Sequence, residues 1–178
     1  ILLTAFTGER ISRDLGETIV RGATDRVAEE VRSFLSHGVR TSNLYAARLR
    51  SGSLSSKNLP AWERTMLEDL IATPEVASIA FGGADGSATW LLRGPGRLEV
   101  GRVRAGHNDE AYEGVMDAAG NVGSEPLRIY HYDPRERPWF QAAMASKGPA
   151  WTPIYFWFGE GGGDTTTGTG YVQRPPAP

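Results

Sequence analysis

From Glu9 to Arg50 an apolar residue returns every fourth position: Ile11, Leu15, Ile19, Ala23, Val27, Val31, Leu35 and Val39. Arg10, Arg13, Asp14, Glu17, Arg21, Asp25, Glu29 and Arg32 fall mostly off that line. One apolar stripe with a charged surround predicts a helix of unusual length. Because a turn holds about 3.6 residues, a spacing of four drifts round the axis and lets the stripe meet different partners. Gly8, Gly16, Gly22 and Gly38 weaken it, since an interior glycine costs about 1 kcal/mol against alanine.

Ser51-Gly52-Ser53 breaks the pattern, and a second helix follows. Asn58 is its cap, Pro60 sits in its first turn, and Trp62, Met66, Leu67, Leu70 and Ile71 form its apolar face. Thr73-Pro74 ends it. Strand-like segments come next: Val76 to Phe81, then Ala88 to Leu92 after an Asp85-Gly86 hairpin signal. Leu98 to Arg104 is a third strand beyond Gly94-Pro95-Gly96. Residues 106–123 are polar and poorly periodic, and are read as a loop with room for a short helix at Glu110 to Ala118. Leu127 to Tyr130 is a short strand.

In Tyr130-His131-Tyr132-Asp133-Pro134-Arg135-Glu136-Arg137-Pro138-Trp139-Phe140, Asp133 caps, Pro134 takes the first helical position and Glu136 folds back. Pro138 opens another short helix, closed by Gly148-Pro149. Trp151 to Phe158 is an aromatic strand, Gly159 to Asp164 a glycine-rich turn, and Thr165 to Gln173 a last strand. Helices come first and antiparallel strands follow. The fold class is α+β, with a sheet presenting one face to the helices.

The composition narrows the function. The chain has 178 residues, 40% hydrophobic and 22% charged, which suits one ordinary domain or one domain with an appendage. Nineteen Lys+Arg against 21 Asp+Glu give a net charge of −2, so no nucleic-acid partner is expected. Cysteine is absent and the three histidines, His37, His107 and His131, lie far apart. Neither a metal site nor a cofactor is expected. No run reaches the roughly 18 apolar residues of a spanning helix. Ile1 to Phe6 nevertheless reads as the tail of such a helix or as a frayed end, and both ends look cut from something longer.

Candidate chemistry is sparse. The glycine run at 159–164 lacks the lysine and hydroxyl of a P-loop and reads as a hairpin loop able to act as a flap. The pairs Glu29/Glu30, Glu68/Asp69 and Asp109/Glu110 are adjacent, and adjacent helical residues do not face one another. No nucleophile–base set stands out, so no catalytic residue is assigned. Alternation puts Trp151, Tyr155 and Trp157 on one strand face, where tyrosine and tryptophan need polar partners if buried. That face reads as a pocket or interface, or as ordinary core. Arg137 and Trp139 stand beside a helix start, where a guanidinium fork and an indole can receive a carboxylate. The alternative is an arginine paired with a local acid and stacked on an aromatic ring, and the residues alone lean that way.

Tyr132-Asp133-Pro134-Arg135-Glu136-Arg137-Pro138-Trp139-Phe140, with Ala142-Ala143, Trp151 and Pro153-Ile154-Tyr155, resembles the signature of double Cache sensor domains. These are extracytoplasmic ligand-binding regions of bacterial chemoreceptors, sensor histidine kinases and cyclases. The resemblance covers the order of elements over most of the chain, and is specific between Tyr132 and Tyr155. It implies a long N-terminal signalling helix over residues 1–55 and a membrane-distal PAS-like module over 56–178, with no sequence here for the membrane-proximal module. It implies attachment through flanking transmembrane helices outside this chain, a site on the periplasmic or extracellular side, a small-molecule ligand, and room for a homodimer through the long helix.

An amino-acid-binding subset of that family spaces Tyr, Arg, Trp, Tyr, Tyr and Asp as Tyr132, Arg137, Trp139, Phe140, Tyr155 and Trp157 are spaced here. The carboxylate-holding positions, Arg137 and Trp139, match, as does Tyr155. Phe140 lacks the hydroxyl. Trp157 stands where an aspartate would pair with the ligand ammonium, and Asp164 in the glycine loop could supply a carboxylate from another direction. A buried ammonium without a carboxylate is costly. The expected ligand is therefore a small carboxylate, or an apolar or aromatic acid, rather than an ordinary amino acid. A ligand-free structural or dimerisation module is the alternative, and an enzyme the remotest reading.

Overall fold

The computed structural model describes residues 2–146, 148–156, 167–168 and 170–172. It holds two compact units, Ile1–Ser36 and His37–Pro178. The first is helix throughout its described length, part of α1 (Leu2–Ser51). Its apolar stripe stays in solvent: Leu15, Ile19, Val27 and Val31 are all exposed. Among the described residues no helix is long and apolar enough to cross a membrane.

The second unit begins inside α1, because only the last turns of the helix find a core there. Tyr45 and Ala46 are buried and Leu49 packs beside them. These residues do not continue the fourfold stripe, whose next position, Asn43, is exposed. The drift of the helix has turned a different face inward. Helix α2 (Leu59–Ala72) starts where expected, with Asn58 accepting from the Ala61 amide and Pro60 in the first turn. Trp62, Met66, Leu67 and Leu70 are buried, but Ile71 faces solvent. Trp62 lies between Tyr45 and Phe81, with ring centroids 5.3 and 4.2 Å away. Its indole N–H donates to the Ser55 carbonyl at 3.0 Å. Arg48 of α1 grips Asp69 of α2 at 2.5 Å.

The sheet is an antiparallel meander in chain order: β1 (Ser78–Gly82), β2 (Ala88–Gly94), β3 (Arg97–Val103), β4 (Ala111–Met116) and β5 (Arg128–Tyr130). Strand alternation sorts it into two faces. Ile79, Phe81, Leu91, Val100 and Met116 meet the helices in one core cluster. Glu63 of α2, 4% exposed, is clasped there by Arg102 of β3 at 2.5 and 2.6 Å and by the Thr89 hydroxyl at 3.3 Å. Arg93 donates to the Val76 and Leu70 carbonyls and so ties the end of α2 to the sheet. Ala88, Trp90, Val103 and Ala111 turn to the other face, under Tyr132.

Strand β4 corrects the loop expected over 106–123. After a 3-10 turn at Asn108–Glu110 the chain is extended from Ala111 to Met116. The alternation was masked because a charged residue, Glu113, occupies a buried position and Gly114 an adjacent one. The hairpin loop between β1 and β2 spans Gly83 to Ser87, closed by Gly83 donating to Ser87 at 2.7 Å, with Gly86 at positive φ.

After β5 come a 3-10 turn, Pro134–Glu136, and α3 (Pro138–Ala145). The expected single aromatic strand is two short ones. β6 (Ala150–Trp151) pairs with β9 (Tyr171–Val172), and β7 (Tyr155–Phe156) with β8 (Thr167–Gly168). Pro153, which has no N–H to offer a ladder, stands in the break, and Thr152 bridges it by bonding Gly170 through backbone and hydroxyl. Trp157 and Asp164 lie outside the described residues.

Candidate functional site

The strand registers lay one row of residues across the sheet. Ala80 of β1 faces Trp90 of β2, Trp90 faces Gly101 of β3, Gly101 faces Glu113 of β4, and Glu113 faces Arg128 of β5. All are on the face away from α2. The Trp90 indole lies flat across Gly101, so closely that a Cβ there would fall inside the ring. Gly101→Ala should therefore lift Trp90 and destabilise the unit by about 1–3 kcal/mol. Chemical denaturation measures this, and an unchanged midpoint would contradict the packing.

Over this row stands the segment from Tyr130 to Phe140. Tyr132 is buried, its ring 4.8 Å from that of Trp90, and its chain is pinned by Asn108, whose backbone oxygen accepts from the Tyr132 amide at 2.8 Å. Asp133 accepts from the Arg135 amide at 2.9 Å and pairs with the Arg135 guanidinium at 2.5 Å. The local acid is thus taken by Arg135. Arg137, two residues on, lies with its guanidinium 5.9 Å from the Tyr132 ring centre. Trp139, in the first turn of α3, presses on Gly82, where a Cβ would come 2.6 Å from its ring.

Together these walls form a cleft lined by Ala80, Trp90, Glu113, Arg128, Tyr130, Tyr132, Arg137, Trp139 and Tyr155. It measures about 390 Å³ counting its open mouth. The walls stand close, leaving enclosed room for about one water. The Tyr155 hydroxyl is pushed up to about 12, chiefly by burial and further by Tyr132, with Arg137 opposing. Burial also raises Tyr132 and Tyr130. The tyrosines therefore face the cleft as neutral phenols, and arginine supplies its positive charge.

Of the residues singled out in the sequence, Tyr132, Arg137, Trp139 and Tyr155 meet in this cleft. Phe140 does not line it; its ring packs against Gly82 and edge-on to Trp139 at 5.8 Å. Trp151 lies elsewhere, 39% exposed, edge-on to Tyr171 at 5.2 Å and against Gly38 of α1. The Pro153 break ended the alternation that put Trp151 and Tyr155 on one face.

Sequence reasoning missed Ala80, Trp90, Glu113, Arg128 and Tyr130. Alternation within each strand gives their face, but only the cross-strand register brings them to one place. Glu113 is 3% exposed and its Oε2 accepts from Arg128 Nε. The Arg128 guanidinium lies 4.6 Å above the Tyr130 ring centre.

His131 does not line the cleft; it pairs with Asp109 at 2.6 Å. That hydrogen bond raises its pKa above the ordinary 6.5. The pair should contribute fully below about pH 6.5 and fade as pH rises through the raised value. An NMR titration should show Asp109→Asn returning His131 toward 6.5, and an unmoved value would remove the pairing. Among the described residues no cluster of His, Cys, Asp or Glu is arranged to hold a metal ion.

No family model, curated protein or solved structure matches the chain.

Proposed function

We propose that the chain is the ligand-sensing module of a bacterial transmembrane receptor of the double Cache kind, and that its cleft grips the carboxylate of a small acid. The observation that carries this is the convergence of Arg137, Trp139, Tyr132 and Tyr155 on one cleft. An arginine fork supplies charge-assisted, paired hydrogen bonds. Tyr132 and Tyr155 add hydroxyl groups, while Trp139 and Trp90 wall the apolar remainder of the ligand. In this reading the receptor anchors through segments outside this chain, the module works on the extracytoplasmic side, and the exposed apolar stripe of α1 meets a second copy. Ligand occupancy biases one of two arrangements of the module, and the helix carries that bias onward.

The narrowness of the cleft has two consequences. A ligand enters by parting the walls, and the cost of parting them lowers its affinity. The same narrowness favours a second reading, a structural module whose cleft stays closed. A thermal-shift screen of small carboxylates separates the two. The sensor reading expects stabilisation that depends on Arg137, and a flat response across the acids would sink it.

A further inference from the structure

We infer that the Glu113–Arg128 pair in the cleft floor makes the site selective for monocarboxylates, against both zwitterionic amino acids and dicarboxylates. This rests on the proposed carboxylate grip of Arg137 and says what else the ligand can carry.

Glu113 is the carboxylate among the described residues that line the cleft. Its burial to 3% demands a partner, because an unpaired buried charge is strongly disfavoured. Arg128 meets that demand from the neighbouring strand, in direct register, with Nε on Oε2. Glu113 is therefore already neutralised. An ammonium seated on it would have to displace Arg128 or crowd a second cation round one carboxylate, with Arg137 in the same cleft.

A second carboxylate fares no better. Among the described residues Arg128 is the other cation lining the cleft, and reaching it brings the incoming anion against Glu113. Like charges so placed repel strongly. The pair thus presents a locally balanced surface. It suits the uncharged portion of a ligand whose single charge is held by Arg137.

The test is titration calorimetry of the whole chain with propionate, alanine and malonate, which have the same carbon count and differ in charge. Propionate should bind, and alanine and malonate should be weaker by on the order of 100-fold. Glu113→Gln removes the repelling charge and should raise malonate affinity relative to propionate. Arg128→Gln frees the buried carboxylate and should raise alanine instead. Wild-type binding of alanine or malonate within about tenfold of propionate would overturn the inference and leave the carboxylate grip standing. Selectivity unchanged in folded Glu113→Gln would overturn it too. Should that variant not fold, the double variant Glu113→Gln/Arg128→Gln decides, since it removes both charges and leaves no buried carboxylate unpaired; selectivity against alanine and malonate retained in it would overturn the inference. Failure of all three acids to bind the wild type would instead remove the carboxylate grip itself, and the selectivity with it.

Discussion

On the proposed carboxylate grip, Arg137→Ala should remove half or more of the stabilisation that a small carboxylate gives the wild-type chain. A ligand at about 100 times its dissociation constant stabilises the folded state by about 2.7 kcal/mol. Hydrogen bonds to charged groups contribute roughly 1.5–3 kcal/mol net, so losing the guanidinium weakens binding by at least tenfold. From about half to nearly all of the shift in melting temperature then vanishes at the same ligand concentration. Arg137→Lys keeps the charge but loses the planar fork, and should fall between. The unliganded variants are melted alongside, which separates a damaged fold from a lost grip. Equal shifts in wild type and Arg137→Ala would end the assignment.

The larger effect on stability should come from Trp62→Ala. Trp62 is 2% exposed, sandwiched between Tyr45 of α1 and Phe81 of β1, and bonded to the Ser55 carbonyl. Removing a buried tryptophan costs about 3–5 kcal/mol through lost burial and the cavity left behind. The Ser55 carbonyl also loses its donor. Denaturation should show this loss, with melting lowered by roughly 10 °C or more. Trp62→Phe keeps an aromatic ring in the stack but loses the N–H and part of the ring volume, so it should cost less. A loss under about 1 kcal/mol in Trp62→Ala would mean that the three rings do not hold α1, α2 and β1 together.

Local chemistry made part of this molecule legible in the sequence. The α2 cap at Asn58, the α+β order, and the turn at Asp133-Pro134 all follow from residues within a few positions of one another. The spacing that singled out Tyr132, Arg137, Trp139 and Tyr155 also picks residues that lie together. Other features hung on distant partners. Tyr45 replaces the fourfold stripe as the inward face of α1 only because Trp62 and Phe81 are there to meet it. Glu113 hid a strand, since a carboxylate is a poor marker of a buried position until Arg128 is known to face it. Trp151 and Tyr155 part company at Pro153, where two strands replace one.

The row from Ala80 to Arg128 interleaves, residue by residue, with the row that builds the helix-facing core. Leu91 and Val100 hold the fold, while Trp90 and Glu113 beside them floor the cleft. In the proposed sensor, a single substitution at Ala80 or Arg128 would thus change what the cleft accepts without touching the opposite core. Such a sheet lets ligand preference drift between descendants of one ancestor while the scaffold stays fixed. Diversity in this lineage should therefore concentrate at every second strand position.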